Sequence, residues 1–198
     1  MQSLARAFLP LAALGLVAGC TTVDSGTDVT RFHLNQQLQR GTVFVEPIVP
    51  DRKGSLEFQQ YAGAVSQELA TVGFNPVADR AGADIIAAID YAQNTREAIE
   101  GRSPVSVGVG GGTFGRSTGI GLGTSFGLGG KPKDVRVSML EVRLIRASDE
   151  APLWEGRAVT EAREDSEEAV LSAAIPGLAR DLLRDFPGES GKTVTYDD

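Results

Sequence analysis

Apolar positions recur every second residue along DVRVSMLEVRLIRA, Asp134 to Ala147, and again along LWEGRAVTEA, Leu153 to Ala162. Period two marks a strand with one buried face. The turn-forming run Ser148-Asp149-Glu150-Ala151-Pro152 between them predicts a hairpin. The alternation changes phase near Met139 and Leu140, which predicts a bulge there or a strand buried on both faces. Two further strands are predicted, at Thr42-Val43-Phe44-Val45, ended by Pro47, and at Asp84–Tyr91, DIIAAIDY.

Elsewhere the period lengthens to that of a helix. From Ser55 to Val72, the residues Leu56, Tyr61, Val65, Leu69 and Val72 fall on one broad face, with Gly73 as the stop and Pro76 beyond it. A second helix is predicted from a capping box at Asp165 and Glu168 to about Asp185. Its inward residues are Val170, Leu171, Ala174, Ile175, Leu178 and Leu182; Pro176 kinks it and Phe186-Pro187-Gly188 ends it. The fold class that follows is α/β in the two-layer α+β sense, a mixed or mainly antiparallel sheet packed by two helices.

The first twenty residues, MQSLARAFLPLAALGLVAGC, follow a different pattern. One cation, Arg6, precedes an apolar run from Ala7 to Val17 that is too short to span a bilayer and has the length of a signal-peptide core. Val17-Ala18-Gly19 then precedes Cys20, the only cysteine of the 198 residues. Small residues before a cysteine resemble the bacterial lipobox. That resemblance implies a signal peptide over 1–19, cleavage before Cys20, and acylation of the Cys20 thiol and of the new amine, palmitate among the chains. One acyl chain holds a protein only marginally and several hold it firmly. Thr21, a residue other than Asp after the cysteine, implies the outer membrane with the protein facing the periplasm. Residues 20–30 read as a lipidated tether, 31–187 as a single domain and 188–198 as a flexible tail.

Composition changes this picture little. Apolar residues are 41% and charged residues 23%, close to globular averages. A net charge of −7 argues against a nucleic-acid partner.

ADIIAAIDYA, the hairpin VSMLEVRLIRASDEAPLWEGRA and a terminal helix ending in DFPG, with TRFH near the start and a central glycine-rich stretch, resemble together the bacterial lipoprotein family called domain of unknown function 4136. The resemblance covers roughly Val29 to Pro187, and Leu153-Trp154-Glu155-Gly156 is its most specific part. It implies an envelope lipoprotein with a compact α/β domain. It brings no catalytic residues with it.

The glycine-rich arm, 101–130, holds twelve of the 24 glycines. Gly110 to Gly115 satisfies G-x-G-x-x-G, but no helical pattern follows to receive a pyrophosphate. Val105, Val107 and Val109, and then Ile120, Leu122, Thr124, Phe126 and Leu128, alternate with glycine and serine. That alternation predicts a β-hairpin with one nearly bare face, or a flexible arm.

Other motifs are weaker. FPGESGKT, Phe186 to Thr193, lacks the first glycine of a P-loop and has no room for a helix after it. His33 is the single histidine and reads as a plain surface or sheet-edge residue. Glu161, Glu164, Asp165, Glu167 and Glu168 form an acidic cluster, of which Asp165 and Glu168 serve capping and the helix dipole. Trp154 reads as core. No catalytic residue, metal site, cofactor or nucleotide is expected. The expectation is a non-enzymatic, lipid-anchored envelope module that binds an envelope protein or polymer. The alternative is an oligomeric, membrane-inserting assembly built through the glycine-rich hairpin.

Overall fold

A computed structural model describes residues 26–36, 38–96 and 134–197. They form one seven-stranded sheet: β1 (Thr27–His33), β2 (Thr42–Pro47), β3 (Asn75–Pro76), β4 (Ile85–Arg96), β5 (Val135–Arg146), β6 (Pro152–Arg163) and β7 (Thr193–Tyr196). The order is β3-β2-β4-β5-β6-β1-β7. β2 runs parallel to β3 and β4, and every other pairing is antiparallel. Helices α1 (Leu56–Thr71) and α2 (Leu171–Leu183) pack on the sheet and on each other. The fold is therefore α+β with a mixed sheet, as the hydrophobic pattern predicts.

The core lies between helices and sheet. α1 contributes Phe58, Tyr61, Val65 and Leu69, and α2 contributes Ile175, Leu178 and Leu182. Facing them are Ile85, Ala87, Ile89 and Tyr91 of β4, and Leu140, Val142 and Leu144 of β5. Ser55 caps α1 by accepting from the Phe58 amide at 3.1 Å. Gly73 ends α1 with a φ of +96°, a left-handed position that favours glycine.

Several expectations need correction. Leu56 is 82% exposed at the first turn of α1, and Phe58 takes the inward place. The chain at 165–168 does not open α2. A 3-10 turn occupies Glu167–Ala169, and α2 begins at Leu171 behind Val170, which is exposed and caps nothing. Met139 and Leu140 pair regularly with Val159 and Ala158; the only register irregularity of the β5–β6 ladder is at Leu144/Ile145. The apparent phase change arises because Ser138 is the first buried residue of the inward series and is polar, with Gln93 donating to its hydroxyl at 3.0 Å. The tether expected over 20–30 gives way to strand β1 at Thr27. The tail expected over 188–198 contains β7, which pairs with β1 from Thr27↔Tyr196 to Thr30↔Thr193. Thr193 and Thr195 bond to Thr30 and Asp28 side chains across that pair, both at 2.7 Å, and these contacts make a strand of a polar segment. The glycine-rich arm and Cys20 lie outside the described residues.

Candidate functional site

The sheet register separates the molecule into two ends. At one end β4 begins at Ile85 opposite Arg146, β6 begins at Pro152, and β1 finishes at His33 opposite Trp154. At the other end Arg96 pairs with Val135, Val135 with Arg163, and β1 starts at Thr27 opposite Thr160.

The first end carries a cleft of about 1050 Å³. It is bordered by the β1–β2 loop, the 3-10 turn Arg80–Gly82, the start of β4 and the β5–β6 turn. Arg40, Arg80 and Arg146 are among its lining residues, Arg80 paired with Glu46 at 3.0 Å and Arg146 with Asp149 at 2.7 Å. Asp84 brings a carboxylate whose Oδ2 accepts from the Thr42 amide at 2.9 Å and the Thr42 hydroxyl at 2.7 Å. These bonds hold its pKa below the usual carboxylate range, the hydroxyl contributing most. Gly41 makes the clasp possible, because a Cβ there would stand 2.5 Å from Asp84 Oδ2. The remaining lining mixes aliphatic residues, Leu34, Leu38 and Leu153 among them, with Gln36, Gln39 and Ser148.

Beneath the cleft lies an interlock that no local sequence pattern shows. Arg31 is inward on β1 and 2% exposed. Its guanidinium donates to the carbonyls of Leu182 at 2.9 Å, Asp181 at 2.8 Å and Arg184 at 2.8 Å, and to the Tyr196 hydroxyl at 3.2 Å. These are the last carbonyls of α2, which have no partner within the helix, and a cation is favoured at that end of the dipole. Gly188, at φ +77°, lies against the Arg31 stem; a Cβ there would come within 2.6 Å of Cδ. The only signal available in sequence was an arginine at an inward position of TRFH.

Trp154 confirms its reading as core. It is 1% exposed, and its indole donates to the Pro187 carbonyl at 3.0 Å. Its ring packs at 5.3 Å from that of Phe186 and directly over Gly156, where a Cβ would stand 2.3 Å from the ring. The Leu153-Trp154-Glu155-Gly156 signature is thus a packing motif: residues two apart share a strand face, and the glycine supplies the room the ring needs. His33 is held rather than reactive. Its Nε2 donates to the Gly188 carbonyl at 3.0 Å, and Nδ1 accepts from the Asn35 amide at 3.2 Å.

Two members of the acidic cluster form ion pairs. Glu161 pairs with Arg96, and Glu164 with Arg136 at 2.7 Å. Among the described residues no group of three or more His, Cys, Asp or Glu is placed to hold a metal. FPGESGKT runs from the end of α2 into β7, so a strand and not a helix follows its Thr193. Tyr61 and Tyr91 both donate to Glu57, at 3.4 and 3.2 Å; burial first, and then the Glu57 carboxylate, raises both phenols above their usual range. Among the described residues no helix is long and apolar enough to cross a membrane.

The model of a family described as "Domain of unknown function (DUF4136)" matches residues 27–188. An uncharacterized protein of Zymomonas mobilis is 27% identical over 207 residues, covering 84% of this chain and 78% of that protein. Among solved structures, a PDZ domain protein from Parabacteroides distasonis matches 87% of this chain with a TM-score of 0.50 at 14% identity. The match spans 39% of that longer chain and concerns the fold alone. The lipoprotein GNA1162 from Neisseria meningitidis matches 74% of this chain and 99% of its own, with a TM-score of 0.38 at 13% identity.

Proposed function

The chain belongs to the DUF4136 family, and on that premise we propose that it is a lipid-anchored, non-enzymatic binding module of the bacterial envelope. Cys20 carries the lipids, the outer membrane holds it, and the domain faces the periplasm. The observation that supports this reading is the polarity of the sheet. β1 starts at Thr27, at the end opposite the cleft. Six residues separate Cys20 from Thr27, and they reach at most about 25 Å at ~3.5 Å per residue. The twelve-residue strands β4 and β5 carry the cleft about 40 Å farther at ~3.3 Å per residue. Lipidated at Cys20, the protein would present its arginine-lined cleft away from the bilayer. That cleft brings together arginine, glutamine and aliphatic side chains around a carboxylate clasped by Thr42, a mixed lining that suits binding.

The test is metabolic labelling with radiolabelled palmitate followed by membrane fractionation. Wild type takes label and sediments with the outer membrane; Cys20→Ser takes none and keeps its leader. Label retained by Cys20→Ser contradicts the reading.

A second reading draws on the same polarity. Arg96 and Val135, which bracket the glycine-rich arm, are Cα partners at the anchor end of the β4–β5 ladder. An anchor at Cys20 would therefore bring the arm to the bilayer, which favours an oligomeric, membrane-inserting assembly built through it. Vesicle leakage and a large detergent-resistant mass, both lost on deleting residues 108–127 with cooperative unfolding retained, would support this alternative. A monomer that leaves vesicles intact contradicts it.

A further inference from the structure

Exposed large hydrophobic side chains among the described residues gather toward the two ends of the molecule. Phe32 and Leu34 stand at the cleft end, where β1 finishes. Val49, Leu56 and Val170 stand toward the other end, at the starts of the two helices. The loop before α1 is folded by its own backbone: the Arg52 amide donates to the Val49 carbonyl and the Ser55 amide to the Arg52 carbonyl, both at 3.1 Å. Val49 and Leu56 therefore flank one compact loop. Arg52 lies 4.1 Å over the Tyr91 ring, and Glu57 accepts from the Tyr91 hydroxyl at 3.2 Å. The loop is thus pinned to β4 at Tyr91. Two residues on, Gln93 pairs with Ser138, Ser138 with Thr160, and Thr160 with Thr27. The start of α1 sits two residues, about 7 Å at ~3.3 Å per residue, along β4 from the row at which the chain enters β1, and three strands, about 14 Å at ~4.8 Å each, across the sheet from it.

Leu56 is 82% exposed at the first helical position, so its side chain adds almost nothing to the core. Val49 is exposed on the other side of the loop, and Lys53 is exposed between them. The charges of the loop balance. Asp51 and Lys53 are both exposed and of opposite sign, Arg52 is paired with Asp90, and Glu57 accepts from the Tyr61 and Tyr91 hydroxyls. What the loop presents is apolar surface beside a lysine, whose stem can lie along lipid while its head stays in water. Val170 differs, because it follows the exposed acids Glu167 and Glu168, which disfavour an anionic lipid surface.

Six residues separate Cys20 from Thr27, and they reach at most about 25 Å at ~3.5 Å per residue. That reach exceeds the offset of the loop from Thr27 in either direction along the sheet. A lipid at Cys20 would therefore keep the loop beside the bilayer. Tethering raises the effective concentration of a surface, so two apolar side chains can sustain a contact that they could not hold on a free protein. We propose that the corner Val49–Leu56 is a second membrane contact: in the anchored protein Val49 and Leu56 enter the boundary between headgroups and acyl chains, with Lys53 at the level of the headgroups. The contact sets the tilt of the domain about its tether. The proposal rests on the anchored reading, and it names the surface that meets the lipid.

The probe is Lys53→Trp in the full lipidated chain, reconstituted into vesicles of phosphatidylethanolamine and phosphatidylglycerol, with lipids brominated near the headgroup end of the acyl chain as quenchers. The chain without the substitution supplies the baseline from buried Trp154. Emission from position 53 should shift to the blue on reconstitution and be quenched by the brominated lipids. Both effects should be lost in Lys53→Trp/Val49→Ser/Leu56→Ser, and absent from Gln67→Trp, about three turns farther along α1. All four positions are exposed, circular dichroism checks each fold, and Leu56→Ser alone serves if the triple variant unfolds. No quenching at position 53, quenching that persists in the serine variants, or equal quenching at position 67 overturns the proposal. A blue shift without lipid quenching marks a protein contact and overturns it as well. Mass spectrometry of the same sample reads acylation. A chain without lipid contradicts the anchored reading; coupling its free Cys20 thiol to maleimide lipids then supplies the tether, and the quenching decides the loop contact separately.

Discussion

The two ends of the sheet are built on different physics. At the cleft end Trp154, Phe186, Gly156 and the Arg31 guanidinium interlock in a buried cluster, where each group is packed or hydrogen-bonded to one far away in sequence. At the opposite end the ladder is finished by exposed ion pairs, Arg96 with Glu161 and Arg136 with Glu164. Buried, fully bonded groups are costly to disturb, whereas exposed pairs contribute little. The end that would present a binding surface is thus the rigid one. The opposite end, finished by exposed pairs, is expected to tolerate substitution better.

Substitutions should rank accordingly. Trp154→Ala removes the ring over Gly156 and leaves a core cavity, with an expected loss of about 3–5 kcal/mol in denaturant unfolding. A loss below about 1 kcal/mol would show that the interlock does not hold the cleft end. Arg31→Met comes next. It orphans the carbonyls of Asp181, Leu182 and Arg184, and a buried unsatisfied group costs about 1–3 kcal/mol. The expected loss is about 3 kcal/mol, with faster amide exchange confined first to the last turn of α2. Arg31→Lys should recover part of it, since one ammonium cannot span three carbonyls in the fork's geometry.

Those two residues also mark where sequence reading succeeds and where it stops. Helix α1, strand β4 and the β5–β6 hairpin were legible because their periodicity is local: Tyr61, Val65 and Leu69 repeat on one helix face, and the strands alternate. Trp154 was legible as core because it sits on an alternating strand. Arg31 was not, because its partners lie about 150 positions away on α2. β7 was missed for the same reason, since Thr193–Tyr196 is polar and becomes a strand only against β1. The start of α2 was misplaced because Asp165 and Glu168 imitate a capping box while the chain makes a 3-10 turn first. The cleft was invisible, since Arg40, Arg80 and Arg146 belong to three connections that only the folded sheet brings together. The resemblance to a lipobox at Cys20 is the reverse kind of signal, purely local, and it lies outside the described residues.

Midway between the two ends, Glu141 should give an intermediate effect. Burial pushes its carboxyl up, but hydrogen bonds from Arg157 and Arg143, at 3.0 and 2.7 Å, outweigh burial and hold it below the usual glutamate range. Its pKa is lower folded than unfolded, so its contribution is fully present above the unfolded value of about 4.3 and is lost as pH falls through the folded one. Glu141→Gln should cost about 1 kcal/mol at pH 7 after solvent screening. The difference from wild type should shrink on acidification below about pH 4; a constant difference across that window contradicts the assignment. At the foot of the ranking, Arg96→Ala should cost under about 1 kcal/mol, and a loss as large as that of Arg31→Met would erase the contrast between the ends.

The polarity itself is open to direct measurement. If the protein, reconstituted into vesicles, is held by lipids at Cys20, a fluorophore is attached either at Arg163→Cys, on the end of β6 opposite the cleft, or at Ser148→Cys, on the exposed turn at the cleft. Energy transfer to acceptors on lipid headgroups should be strong from position 163 and weak from position 148, consistent with a ladder about 40 Å long. Equal transfer from both positions, or stronger transfer from 148, would contradict the account.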